Sequence, residues 1–351
     1  MSPHLTILLL YAALLMAIGL WVGRRVQGSS DFFVAGRRLG PGLIFATLLA
    51  ANLGAGTTVN AAGLAYRDGL SAWWWVGSAG IGSMALAFWV GPRLWEIAAA
   101  RNLHTVGDFL EHRYGREVRA MIASLLWVGS LGILAAQLIA MGFVLNAVTG
   151  LDRWVGSVIG GIVVTVYFTA GGLLTSVWVN AVQLVVLVLG FIVVFPMILA
   201  SVGGLPQVIA GTRDIEGFWS FWTGGESGWF YLAMLGPSFI VSPGILQRVY
   251  AARDDRAVRL GVGLNGLALL VFAVVFTLLG MIARMLVPDL PDQNLALPTL
   301  LLESLPPLVG ALGLAALFSA EVSSADAILF MLATSLSRDL YRRFARPDAN
   351  D

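Results

Sequence analysis

The chain has 351 residues, 58% of them hydrophobic and 12% charged, where soluble domains run at roughly half apolar and a quarter charged. An ordinary soluble fold is therefore excluded, and a net charge of +1 gives no basis for a nucleic-acid partner. The sequence has no cysteine, and all 21 basic residues are arginine, so disulfides, thiolate metal sites and lysine Schiff bases are excluded as well. No HExxH motif occurs, and His4, His104 and His112 lie outside the apolar runs. Enzyme chemistry is not expected, nor is an organic cofactor.

The apolar residues fall in runs of about twenty, enough for a helix to cross ~30 Å of hydrocarbon with its backbone hydrogen bonds satisfied internally. Nine spans are expected, at residues 5–23, 41–64, 72–92, 120–147, 154–170, 177–201, 229–247, 260–287 and 308–336. The fold class is all-α, a polytopic membrane protein with one transmembrane domain over 1–351. Residues 5–23 have no positive charge before them apart from the terminus, Arg24 and Arg25 follow them, and no small-x-small cleavage site is evident, so they read as a retained helix and not a signal peptide.

The connections alternate in charge. One set holds Arg24, Arg25, Arg37, Arg38, Arg93, Arg101, Arg113, Arg116, Arg119, Arg248, Arg253, Arg256, Arg259, Arg338, Arg342, Arg343 and Arg346; the other holds only Arg67, Arg153, Arg213 and Arg284. By the positive-inside rule the first set is cytoplasmic, the N-terminus outside and the C-terminal tail 337–351 inside. Trp73, Trp74, Trp75, Trp154, Trp178, Trp219, Trp222, Trp229 and Tyr231 gather near span ends, as headgroup-level aromatics do. Residues 202–228 and 288–307 read as outside loops. Residues 92–119 form the longest inside loop, where EVRA is expected to start a helix lying along the membrane. Gly156-x-x-x-Gly160 reads as a packing face.

Two spans are poorly made for plain helices. Asn52-Leu53-Gly54-Ala55-Gly56-Thr57-Thr58 places two glycines and three polar residues mid-span, and Gly236-Pro237-Ser238 and Ser242-Pro243-Gly244 interrupt the seventh. Proline removes a donor and glycine costs about 1 kcal/mol against alanine in a helix. If residues 5–23 are an extra helix, the breaks fall in core helices one and six, the opening helices of two five-helix repeats. Interrupted spans at corresponding places point to a transport site. Asn52, Gly54, Thr57, Thr58, Gly236 and Ser238 are the candidate solute contacts.

In the ninth span, Ala320, Ser323 and Ser324 share one helical face. A carbonyl and two hydroxyls there suit a hard monovalent cation, and carbonyls released at Ala50 and Leu53 could complete five ligands. Glu321 and Asp326 lie in the same span, where carboxylates are costly and default to function; Asp326 could instead pair with an arginine at the cytoplasmic interface. Gln137, Asn180 and Asn265 are further polar candidates, either for bridging helices or for touching solute.

Five stretches carry a resemblance: DFFVAGRRLGPG, AANLGAGTTVNAAGLAYRDG, AGGLLTSVWVNAVQ, SPGILQRVYAARD and LFSAEVSSADAILFMLATSLSRDLY. Together they resemble the sodium/solute symporter family, which has the leucine-transporter-like inverted-repeat fold. The resemblance implies core helices one to five over 41–201 and six to eight over 229–336. It implies sodium as coupling ion, held by the carbonyls of Ala50, Leu53 and Ala320 and the hydroxyls of Ser323 and Ser324. It further implies an ion path past Asn180, where many family members carry aspartate, and Asp326 is expected to supply the missing charge. Core helices nine and ten are missing, so a fragment of a longer chain is expected.

The expected function is sodium-coupled import of a small solute across the cell membrane by alternating access, with the solute and membrane lipid as partners. The N-terminus of the outer half of core helix one, at Thr57 and Thr58, suits a carboxylate, so an amino acid or short organic acid is expected. Sugar-carrying relatives use a lysine that this chain lacks. Proton coupling through Glu321 or Asp326, a non-transporting sensor or membrane subunit, and an inactive fragment are alternatives that the sequence leaves open.

Overall fold

The computed structural model describes residues 3–24, 39–169, 172–222, 228–337 and 341. Arg25, Arg37, Arg38, Arg338, Arg342, Arg343 and Arg346 lie outside the described residues, as does nearly all of the expected tail. Among the described residues the fold is helical, with one isolated parallel bridge between Leu39 and Ala252.

Helix α1 (Pro3–Gly23) precedes α2 (Pro41–Asn52), which stops at a non-helical joint before α3 (Val59–Asp68). Helix α4 (Trp73–Ala85) continues through a π-turn, Leu86–Val90, into α5 (Gly91–Ala100). Pro92 explains the widening: it has no N–H to return to the preceding turn. Helix α6 (Val106–Tyr114) is short and opens with a capping box between Thr105 and Asp108. Then come α7 (Arg116–Thr149), α8 (Arg153–Phe168), α9 (Gly172–Ser201) and the short α10 (Leu205–Thr212). Helices α11 (Trp229–Val241) and α12 (Pro243–Tyr250) are two parts of one span. Helix α13 (Asp255–Leu286), the short α14 (Ala296–Glu303) and α15 (Pro307–Thr334) complete the described fold.

Six helical stretches among the described residues are long and apolar enough to cross a membrane: Leu5–Val22, Arg116–Thr149, Trp178–Ser201, Trp229–Tyr250, Asp255–Leu286 and Pro307–Ser337. The other three expected spans differ for local reasons. Residues 41–64 are split at the joint, 72–92 carry the π-turn, and the helix over 154–170 ends at Phe168. EVRA opens the long α7 itself and does not start a separate surface helix. Arg119 in that motif clamps α6 onto α7 through Asp108 at 3.0 Å and Glu111 at 2.7 Å.

The two interruptions expected in the seventh span have different outcomes. The helix runs through Pro237 and breaks only at Ser242, whose φ of −56° and ψ of 123° are extended. A residue before proline is pushed out of the α region, and Pro243 follows. Pro237 follows glycine instead, and the helix tolerates its missing donor.

Helix α15 is the centre of the bundle. Of its most apolar window 83% is buried, against 33% for α1 and for α9, and it packs most extensively against α9 and then α7 and α1. Glycines permit the closest crossings: Gly280 of α13 lies on the Ala62 carbonyl of α3, and Gly82 of α4 on the Gly236 carbonyl of α11. Gly156 and Gly160 of α8 sit against Gly142 and Met141 of α7, as their spacing suggests.

The connections knit into two separate ends. At one, Tyr66 Oη donates to the carbonyls of Val287 and Pro288, Trp74 Nε1 donates to Phe221 O, and Arg153 pairs with Asp292 at 3.2 Å. At the other, Arg253 N donates to Leu39 O, and Trp95 Nε1 to Ala252 O. The second end therefore ties the start of α2 to the finish of α12, the two interrupted spans.

A side chain at position 280 would drive α13 off the α3 backbone. Gly280→Val is expected to cost ~1–3 kcal/mol by overpacking and to lower the melting temperature in detergent.

Candidate functional site

The joint between α2 and α3, Leu53–Thr58, carries backbone groups that no helix satisfies. Lipid offers no partners, so the protein must supply them. Ala55 N donates to Gln137 Oε1 of α7 at 2.8 Å, and Trp75 Nε1 of α4 donates to Gly56 O at 2.6 Å. The Gly54 carbonyl accepts from Thr57 N at 2.9 Å and Thr58 N at 3.0 Å, with the Thr58 hydroxyl 2.9 Å away. The Thr57 hydroxyl donates to Asn52 O at 2.7 Å. Polar side chains from two helices, α4 and α7, and the joint's own threonines thus hold it open.

Helix α15 crosses this joint on the Ala320, Ser323 and Ser324 face. Ser323 Oγ donates to Ala50 O at 2.5 Å and lies 3.0 Å from Ala320 O; Ser324 Oγ donates to Ala51 O at 2.8 Å. The hydroxyls thus reach Ala50 and Ala51, while Leu53 sits fully buried in the same joint. Ala51 is absent from the sequence-derived set, since an end-of-helix carbonyl becomes visible only once the end is placed. Gly54 is forced by the crossing: a Cβ there would lie 2.7 Å from Gln137 Oε1 and overlap Ser324 Oγ. The assembled oxygens belong to neutral carbonyls and hydroxyls, a donor set suited to a hard monovalent cation.

A cavity of about 330 Å³ abuts the joint, lined by Asn52, Gly54, Thr57, Gln137, Ser238 and Arg248 among others. A second, of about 530 Å³, lies on the side of Asn60, Phe143 and Asn294. Both are bounded by Gly56, Trp75, Ile133 and Gln137. Of the candidate solute contacts, Asn52, Gly54, Thr57 and Ser238 line the first cavity. Thr58 and Gly236 do not. Thr58 is fully buried and bonds Glu321 Oε1 of α15 at 3.0 Å, because its position opening α3 turns its side chain to α15. Gly236 is used for contact with Gly82, because the helix continues through Pro237.

Arg248 was missed as a cavity residue; in sequence it read only as one of the cytoplasmic arginines. The Ser242 joint brings it in: α12 restarts there, and Arg248 Nη1 donates to Gly244 O at 2.7 Å. Asp326 of α15 is fully buried and acts electrostatically on Arg248. The charge expected to serve the ion path therefore meets an arginine of the protein itself. Asn180 is fully buried on α9, along which α15 packs. Asn265 links Asn52 at 3.2 Å to Ser83 at 3.3 Å, bridging α2, α13 and α4.

Comparison with known proteins adds to this geometry. The pattern of the sodium:solute symporter family matches residues 32–351. The human sodium/iodide cotransporter is 29% identical over 93% of this chain, which spans 53% of that protein's length. The Escherichia coli sodium/pantothenate symporter is 27% identical over 97% of this chain and 73% of its own. A solved structure of a Na+-coupled sialic acid symporter, in a substrate-bound outward-open state, superposes with a TM-score of 0.86 at 19% identity. It covers 99% of this chain and 75% of that one, so the fold is shared.

Gly54→Ala is expected to cost ~1–3 kcal/mol, read as a lower melting temperature. Ser324→Gly in the same chain should recover part of the loss, because the two positions are in contact and couple.

Proposed function

We propose, from the premise that the chain belongs to the sodium:solute symporter family, that it couples sodium entry to import of a small carboxylate-bearing solute. The single observation that carries the sodium reading is the meeting of α15 with the end of α2. The hydroxyls of Ser323 and Ser324 stand on the carbonyls of Ala50 and Ala51, with the Ala320 carbonyl beside them. Ala50, Leu53, Ala320, Ser323 and Ser324 would hold the ion, as oxygens do for hard cations. When bound, it supplies a positive charge that ties the interrupted helix to the central one.

The solute reading rests on the first cavity. Its lining includes the guanidinium of Arg248, whose charge is offset by the buried Asp326, beside the polar groups of Asn52, Thr57, Gln137 and Ser238. Thr57, beside the start of α3, adds a hydroxyl close to a helix N-terminus, where negative charge is stabilised. The pantothenate symporter among the relatives is consistent with a carboxylate but does not select one.

The two cavities on opposite sides of the shared wall suit alternating access, in which one side opens as the other closes. For orientation, the end holding Arg101, Arg113, Arg116, Arg253, Arg256 and Arg259 is assigned to the cytoplasm by the positive-inside rule.

Two measurements test this. Sodium, but not potassium or choline, should raise the melting temperature in detergent by mass action, worth about 2.7 kcal/mol at a hundredfold excess over Kd. Ser323→Ala should remove most of that shift, and an unchanged melting temperature in the unmutated chain would overturn the sodium reading. Because the sequence has no cysteine, single cysteines can be placed without a background. Glu216→Cys should react with an impermeant maleimide from outside intact cells and Arg256→Cys should not; the reverse pattern would invert the orientation.

A further inference from the structure

Helix α15 carries two fully buried carboxylates, Glu321 and Asp326, with different surroundings. Asp326 lies toward α12 and interacts with Arg248. Glu321 points the other way, at the start of α3. Its Oε1 accepts from the Thr58 hydroxyl at 3.0 Å, and its Oε2 is buried without a partner. The Thr58 hydroxyl has one proton and two acceptors, since Gly54 O lies 2.9 Å away. Glu321 therefore holds at most one hydrogen bond there, and a shared one.

The neighbours that could compensate Glu321 do not. Among the described residues no cationic side chain hydrogen-bonds or ion-pairs with its carboxyl, whose one contact is the Thr58 hydroxyl. On the helices packed around α15, α1 offers Tyr11, whose hydroxyl is spent on Ser319 at 2.6 Å. Helix α9 offers the uncharged Asn180 and Gln183, α7 the uncharged Gln137, and α12 Arg248, which serves Asp326. An isolated buried charge costs several kcal/mol unless it is paired.

The oxygens of Ala50, Leu53, Ala320, Ser323 and Ser324 present the opposite imbalance: all are neutral, so a cation among them brings one uncompensated positive charge. Glu321 is adjacent to Ala320 and about one helical turn from Ser324, roughly 5 Å along the axis. Through Thr58 and Gly54 it also touches the joint that this oxygen set borders. We propose that Glu321 is the counter-charge of the cation position between α2 and α15, holding a monovalent cation electrostatically and not as one of its five oxygens. The inference rests on the sodium reading above and moves the charge role from Asp326 to Glu321. Glu321 is thus a positioning residue, and Asp326 belongs to the α12–α15 contact.

The test measures melting temperature in detergent against sodium chloride, with choline chloride holding ionic strength constant. It compares the unmutated chain with Glu321→Gln, Glu321→Asp, Asp326→Asn and Ser323→Ala. Glu321→Gln is expected to melt at or above the unmutated chain without sodium, because it replaces a buried carboxyl that has no cationic partner. It should need on the order of tenfold to a hundredfold more sodium for half its shift, the scale of a Coulomb attraction across roughly one helical turn in a partly polarisable interior. Glu321→Asp should restore the sodium response to within a few-fold, and Asp326→Asn should leave it within about threefold. If Glu321→Gln does not fold, Glu321→Met provides the second neutral variant.

A merely structural Glu321 would lower the ion-free melting temperature and leave the sodium response intact, which overturns the proposal. An equal loss in Asp326→Asn also overturns it. A sodium shift abolished by Ser323→Ala but untouched by Glu321→Gln overturns the counter-charge role alone. No sodium shift in the unmutated chain overturns the sodium reading together with it.

Discussion

Everything in the site follows from the need to satisfy an unwound stretch of backbone at membrane depth. Residues 53–58 expose peptide groups that hydrocarbon cannot solvate, at several kcal/mol for each one left unpaired. The protein answers with an amide from α7, an indole from α4 and the hydroxyl of Thr58 in the joint itself, while hydroxyls from α15 and Thr57 take the α2 carbonyls that the break leaves open. Each of those helices is therefore fixed in rotation and height by a bond to the joint. The central position of α15 follows, since its serines must reach the α2 carbonyls while its other faces stay packed on α9, α7 and α1.

The second interrupted span is governed by a different rule. Ser242 is extended because proline follows it, and the restart of α12 turns Arg248 inward. The bridge between Leu39 and Ala252 then links the start of one interrupted span to the finish of the other. The beginning of α2 and the finish of α12 are thereby joined by backbone hydrogen bonds.

Much of the fold was legible in sequence because its determinants are local. Runs of about twenty apolar residues marked the spans, and the glycine- and proline-rich stretches marked both joints. The serine face of α15 was legible from helical spacing alone. What sequence could not give depends on orientation in three dimensions. The helix passes Pro237 but not Ser242, and both sites present proline beside glycine and serine, so composition does not separate them. Thr57 and Thr58 are neighbours of the same type, yet one lines the cavity and the other bonds Glu321. Likewise Glu321 and Asp326 look equivalent on one helix until Arg248 arrives from another. EVRA was misread because a charged stretch that opens a helix does not say whether the helix runs into the apolar span after it or stays apart from it.

The wall shared by the two cavities has an electrical consequence. Among the described residues Gly56, Trp75, Ile133 and Gln137 border both spaces, so the layer between them is thin there. Where water enters two such spaces from the two faces of a membrane, the resting voltage falls mainly across what separates them. A charge crossing that short distance then works against nearly the full potential, about 2.3 kcal/mol per 100 mV. In this chain an indole and an amide would stand in that field, next to the joint that they hold open.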